Sequence, residues 1–156
     1  MNVTTKESGL LKDLKDQEQI CVEKYSKYAA EASSEELKTL LNTIADQERK
    51  HLQTVTEMMG GKVESVNQSK GSTGSPAPSS CSCGRVSYSA EESKKRDAFL
   101  CSDLLATEKH ASSLYDTCVF EFADPQARQV LNHIQTEEQE HGLKLYEFMN
   151  NNGMYS

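Results

Sequence analysis

Four stretches of the chain carry apolar residues at steps that alternate between four and three, the spacing of one packed helix face. The second shows it most clearly, with Leu37, Leu41, Ile44, Glu48, His51, Val55 and Met58 on one seam. The fourth runs Ala127, Leu131, Ile134, Glu138, His141, Leu145 and Phe148. The first and third run Leu11, Leu14, Glu18, Cys21, Tyr25, Tyr28, Ala32 and Cys101, Leu104, Glu108, Ala111, Tyr115, Cys118, Phe122. The pattern predicts an all-α chain of four helices. It also sets four glutamates and two histidines at positions that face a core.

Local signals place the ends. Thr4-x-x-Glu7 is a capping box, so the first helix runs from about there to Ala32. Ser33-x-x-Glu36 is a second box, which makes the turn tight, and Gly60-Gly61 ends the second helix. Ser89-x-x-Glu92 opens a third helix reaching Ala123, and Asp124-Pro125 opens a fourth reaching about Asn150. Between the pairs, residues 61–88 turn to Gly, Ser, Pro, Asn and Gln, the composition of a linker. Roughly 28 residues reach well past a helix of ~40 Å, so the linker reads as a crossover between opposite ends of a bundle. The organisation expected is one domain over 1–156, with helical hairpins at about 5–60 and 89–150.

The hairpins are repeats. Over residues 10–59 and 100–149 about 13 of 50 positions are identical without a gap, where chance would give only a few. Glu18/Glu108, Tyr25/Tyr115, Glu48/Glu138 and His51/His141 are among the matched pairs. Glu18 and Glu48 are equidistant from the turn at Ser33, and Glu108 and Glu138 from the turn at Ala123. In antiparallel hairpins equal distance means equal height. All six groups can therefore meet in one layer of a four-helix bundle.

Composition narrows the field. A formal net charge of -7 argues against nucleic acid. No apolar run approaches the ~18 residues of a membrane span, and no signal peptide is evident, so the expected compartment is the cytoplasm. Five cysteines show no zinc-type pairing, and Cys21, Cys101 and Cys118 read as reduced, half-buried helix residues.

The inward carboxylates carry the chemistry. A buried carboxylate costs several kcal/mol unless paired, protonated or bound to a cation, and four in one layer also repel one another. Two histidines cannot neutralise them, and no Lys or Arg lies on the seams at that level. Two divalent ions can, with carboxylates bridging and one His on each ion. Mixed oxygen and imidazole donors suit iron or manganese. The bland alternative rotates one or two of these residues to the surface. A lone Glu-x-x-His fits that alternative well; six groups in register fit it poorly.

Glu18 with Tyr25, followed by Asp46-Gln47-Glu48-Arg49-Lys50-His51, resembles the first two helices of rubrerythrin-type proteins. The chain as a whole, with its closing Tyr146-Glu147-Phe148-Met149-Asn150-Asn151-Asn152-Gly153-Met154-Tyr155, more closely resembles the spore coat protein F family, over about 8–60 and 90–156. The resemblance implies the ferritin-like fold, with Glu18, Glu48, His51, Glu108, Glu138 and His141 as ligands of two iron or manganese ions. It further implies oxygen or peroxide as small-molecule substrate, an unidentified electron donor, and deposition in the spore coat beside other coat proteins; a homodimer is one option for the oligomer, which the sequence does not reveal. The chain departs from the rubrerythrins in having no rubredoxin module with paired Cys-x-x-Cys, so the usual internal electron donor is missing.

Tyr25 and Tyr115 lie two turns from Glu18 and Glu108, where their hydroxyls can bond ligand carboxylates across the bundle; plain core packing is the other reading. Asn42 and Asn132 are repeated near the same level. Glu137 adjoins Glu138 but points off the face, and His110 and His133 lie off the seams. Cys81-Ser82-Cys83 reads as an idle exposed pair more readily than as a redox pair, a cross-linking site or a soft-metal site. Two functions compete: a di-iron oxidase or peroxidase, and a structural coat protein whose metal stabilises it or is vestigial. An iron-storage cage is disfavoured, since nothing suggests a shell interface.

Overall fold

The computed structural model describes residues 1–64 and 84–155. The described residues form four helices and no strand: α1 (Thr5–Glu31), α2 (Glu35–Met59), α3 (Glu91–Glu121) and α4 (Pro125–Asn151). No helix among them is long and apolar enough to cross a membrane.

Most of the predicted signals act as written. Thr4 closes the capping box with Glu7, and Asp124 caps α4 through the Gln126 and Ala127 amides, with Pro125 in the first turn. Gly61 takes φ +78° after α2, a left-handed conformation that suits glycine. Two caps move. The α2 cap is Ser34, whose hydroxyl accepts from Leu37 N–H, and the Ser33 amide that the expected box would have used is bound by Asp97 of α3. α3 starts from Ala90 with no side-chain cap, so the predicted box at Ser89 is not formed. A tertiary contact takes the place of the first box; no contact explains the second.

α1 packs on α2 and α3 on α4, and the two pairs join chiefly through α1 and α3. The first pair's open end is fixed where the Met1 ammonium donates to the Gly61 carbonyl. Its closed end is held by Asp97, which accepts from the Ser33 and Ser34 amides and from the Tyr88 hydroxyl. α2 therefore ends at the opposite end of the molecule from where α3 begins. Most of the expected linker lies outside the described residues, together with Cys81 and Cys83. Its last part is docked, since Val86 N–H donates to the Asn152 amide oxygen.

Every residue of the second, third and fourth seams is buried, and only Tyr28 of the first is half-exposed. The core falls into two apolar clusters. One gathers Tyr25, Leu37, Leu41, Ile44, Leu104, Leu145 and Phe148; the other gathers Leu11, Leu14, Val55, Met58, Tyr115, Phe122, Leu131 and Ile134. Each fully buried Leu, Ile or Phe contributes about 1.5–3 kcal/mol, so these clusters clamp whatever lies between them. Between them lie the polar seam residues.

Candidate metal centre

Glu18, Glu48, His51, Glu108, Glu138 and His141 are all buried, four of them with no exposed surface at all. The helices bring them together as two overlapping groups. Glu18, Glu48, His51 and Glu138 form one, and Glu48, Glu108, Glu138 and His141 the other, with ligand-type atoms in each within 4.8 Å of one another. Glu48 and Glu138 belong to both. Each group draws on both helix pairs, so neither half completes one alone.

Both imidazoles turn Nδ1 inward. His51 Nδ1 lies 2.7 Å from Glu138 and 3.5 Å from Glu48; His141 Nδ1 lies 3.0 Å from Glu48 and 3.6 Å from Glu108. These approaches lack hydrogen-bond alignment. Both Nδ1 atoms and six carboxylate oxygens, from Glu18, Glu48, Glu108 and Glu138, are buried without a hydrogen-bond partner. Native interiors seldom leave such atoms unpaired. Eight converging orphans of oxygen and imidazole type fit a pair of divalent cations, which need donors aimed at a common point and not at each other.

The remaining atoms are held in place. Tyr25 donates its hydroxyl to Glu108, and Tyr115 donates to Glu18, each from α1 to α3 or back. Burial foremost, then the carboxylate beside each, pushes both phenols well above their usual range, so both remain O–H donors. On the far side, His51 Nε2 lies 2.9 Å from Glu137 and His141 Nε2 lies 3.1 Å from the Gln47 side-chain oxygen. Glu137 thus stays off the seam, as expected, but its carboxylate reaches the outer nitrogen of His51, a contact the seam pattern does not show. Its carboxyl is held below the usual range, chiefly by His51. The seam pattern misses this contact; the one trace in the sequence is that residues 47 and 137 are repeat partners, each beside a glutamate of the layer.

No Lys or Arg is buried among the described residues, so the layer has no fixed cation of its own. Burial and mutual repulsion therefore favour protonated forms of part of the layer. Burial, and then the charge of Glu48, pushes Glu18 well above the usual carboxyl range. Glu138 is pushed up as well, by burial first and by its carboxylate neighbours. Burial would raise Glu48 too, but His141 and His51 together outweigh it and bring it to about 2. Burial lowers the imidazoles, yet Glu137, Glu138 and Glu48 raise His51 to about 12, and Glu108 and Glu48 raise His141 to about 9.

Other sequence candidates stand apart. Asn42, Asn132, His110 and His133 are exposed, and His133 lies 3.6 Å from Glu137. Cys21, Cys101 and Cys118 are free thiols and fully buried, deeper than expected; burial pushes Cys101 and Cys118 up to about 12. A surface groove of about 270 Å³ between α1 and α3 is lined in part by Gln17 and Thr107, the neighbours of Glu18 and Glu108. A larger depression of about 450 Å³ around Arg85, Tyr88 and Asn152 shares no residue with the centre.

A family model described as Coat F domain matches residues 96–156. The match takes in nearly all of α3 and the whole of α4, with Glu108, Glu138 and His141, and leaves Glu18, Glu48 and His51 outside. No curated protein and no solved structure matches the chain.

Proposed function

We propose that this chain is a ferritin-like protein with a carboxylate-bridged di-metal centre that reacts with oxygen or peroxide. The observation that carries the reading is the set of eight buried, unpartnered donor atoms on six residues repeated at an offset of ninety. Two iron ions are the expected occupants, and manganese suits the same donors. Glu18 and His51 would hold one ion, Glu108 and His141 the other, and Glu48 and Glu138 would be shared. When bound, the ions would supply the electrons and the open coordination positions that oxygen or peroxide chemistry needs.

The chain's own residues define the setting. The apolar clusters on both sides exclude water from the layer, which strengthens every electrostatic contact inside it. The hydroxyls of Tyr25 and Tyr115 fix one oxygen of Glu108 and of Glu18 and leave the other oxygen of each free to bind. Glu137 and Gln47 fix the ring orientations of His51 and His141. Loading must displace the protons held by Glu18, Glu138 and the two imidazoles, so binding strengthens as pH rises.

A second reading has its own support. The matching family model is that of a coat domain, which favours deposition in the spore coat and a structural role there. Metal would then stabilise the bundle, with no turnover. Metal analysis decides between them, followed by an optical spectrum of anaerobically loaded protein after exposure to oxygen or peroxide. About two ions per chain, lost in the Glu48→Ala, Glu138→Ala double variant, together with an oxidant-dependent spectral change, supports the di-metal oxidase. Two ions and no response leave the structural reading. Folded protein that takes up no metal sinks the di-metal centre.

A further inference from the structure

Around the centre the two halves repeat the six proposed ligands and the two tyrosines that bond them, while other neighbours, such as Cys21 and its partner Ala111, differ. Glu18 pairs with Glu108, Tyr25 with Tyr115, Glu48 with Glu138 and His51 with His141. The residues that receive the outer ring nitrogens are also repeat partners, at 47 and 137, but they differ in charge. His51 Nε2 meets the carboxylate of Glu137 at 2.9 Å, whereas His141 Nε2 meets the amide oxygen of Gln47 at 3.1 Å.

We infer that the two metal positions are unequal, and that the one served by His51 binds more tightly and fills first. The inference rests on the di-metal reading above. Its physical basis is the proton on Nε2. With Nδ1 turned to the cluster, each ring must carry its hydrogen on Nε2 and donate it outward. A carboxylate pulls on that hydrogen harder than a neutral amide oxygen does, which makes the imidazole the stronger donor on its other nitrogen. Glu137 also brings a negative charge near its cation, and Gln47 brings none. Losing an outer partner of this kind typically costs about 10–100-fold in metal affinity, so a gap of at least about tenfold is expected between the positions. His133 lies 3.6 Å from Glu137 but is half-exposed, so water shields that competing contact. Glu137 and Gln47 are positioning residues: they act on the metal only through a histidine.

The test is a titration of the full-length, metal-free protein with cobalt(II), followed by calorimetry and visible absorption. Histidine ring N–H signals, read by nuclear magnetic resonance with ¹⁵N-labelled histidine, show which ring responds. Wild type should fill in two steps at least about tenfold apart, with the His51 ring responding to the first equivalent. Gln47→Glu should tighten the second step and merge the two. Glu137→Gln should weaken the first step by about 10–100-fold and merge them at lower affinity. The double swap Gln47→Glu, Glu137→Gln should restore two steps with His141 responding first. These changes are nearly isosteric at partly exposed positions, and circular dichroism checks that each variant folds. Equal steps in wild type, or a filling order that ignores the swap, overturns the inference while leaving the di-metal centre standing. Absence of any cobalt uptake by folded wild type overturns both.

Discussion

Tyr25 and Tyr115 show what a single atom contributes here. Each hydroxyl is the sole hydrogen-bond partner of its glutamate, and neither side chain has any surface in contact with water. Tyr25→Phe keeps the ring and removes the donor, leaving a buried carboxyl oxygen unpaired. The expected cost is about 1–3 kcal/mol in metal-free protein, read by denaturant unfolding, with Tyr115→Phe matching it. A loss under a few tenths in both variants would reduce the tyrosines to packing. The residues on the seams were legible because burial follows a strict period. Glu137 was not, because it sits one step off that period and reaches the centre only through a partner on another helix.

At the level of elements, the helix ends matter more than the propensities within them. Asp97, with no exposed surface, binds two amides of the α1–α2 turn and the Tyr88 hydroxyl. Its repeat partner Glu7 closes the α1 capping box and reaches the Ala123 amide in the α3–α4 turn. Each pair of helices thus clasps the turn of the other. Asp97→Ala should cost about 3 kcal/mol, since it strands buried donors, while Glu7→Ala should cost about 1 kcal/mol, the worth of an ordinary cap. Thermal or denaturant unfolding reads the difference, and equal losses would mean that Asp97 is no more than a local cap. The four helices were readable from periodicity and three of the five terminal signals. The box expected at Ser33 does not form, because Asp97, 64 residues from Ser33 in sequence, occupies the Ser33 amide that Glu36 would have bonded. No sequence window around the turn contains that information.

For the molecule as a whole, the polar layer couples stability to pH. Glu18, Glu138, His51 and His141 all have raised values in the folded chain. Stability from a raised group is complete below its unfolded value and is lost as pH climbs through the folded one. For the carboxyls the loss begins above about 4.5, and for the imidazoles above about 6.5. Glu48 works the other way, contributing above about 4.5 and losing that contribution as pH falls toward 2. Metal-free protein should therefore be most stable near pH 5 and weaken steadily toward pH 9. Bound cations replace those protons, so the melting temperature of loaded protein should exceed that of metal-free protein by a margin that widens with pH. Thermal unfolding of both forms between pH 5 and 9 checks this. Superimposable curves would mean that the buried carboxyls and the metal do not compete for the same protons.

The offset of ninety between the halves carries one more consequence. A pair of separate, identical hairpins related by a two-fold axis could build the same six-residue layer, but every change in one would appear in the other. Joining the halves in a single chain removes that obligation. Position 47 could become an amide while position 137 stayed an acid, and the centre could acquire a front and a back that no symmetric dimer of one hairpin can have.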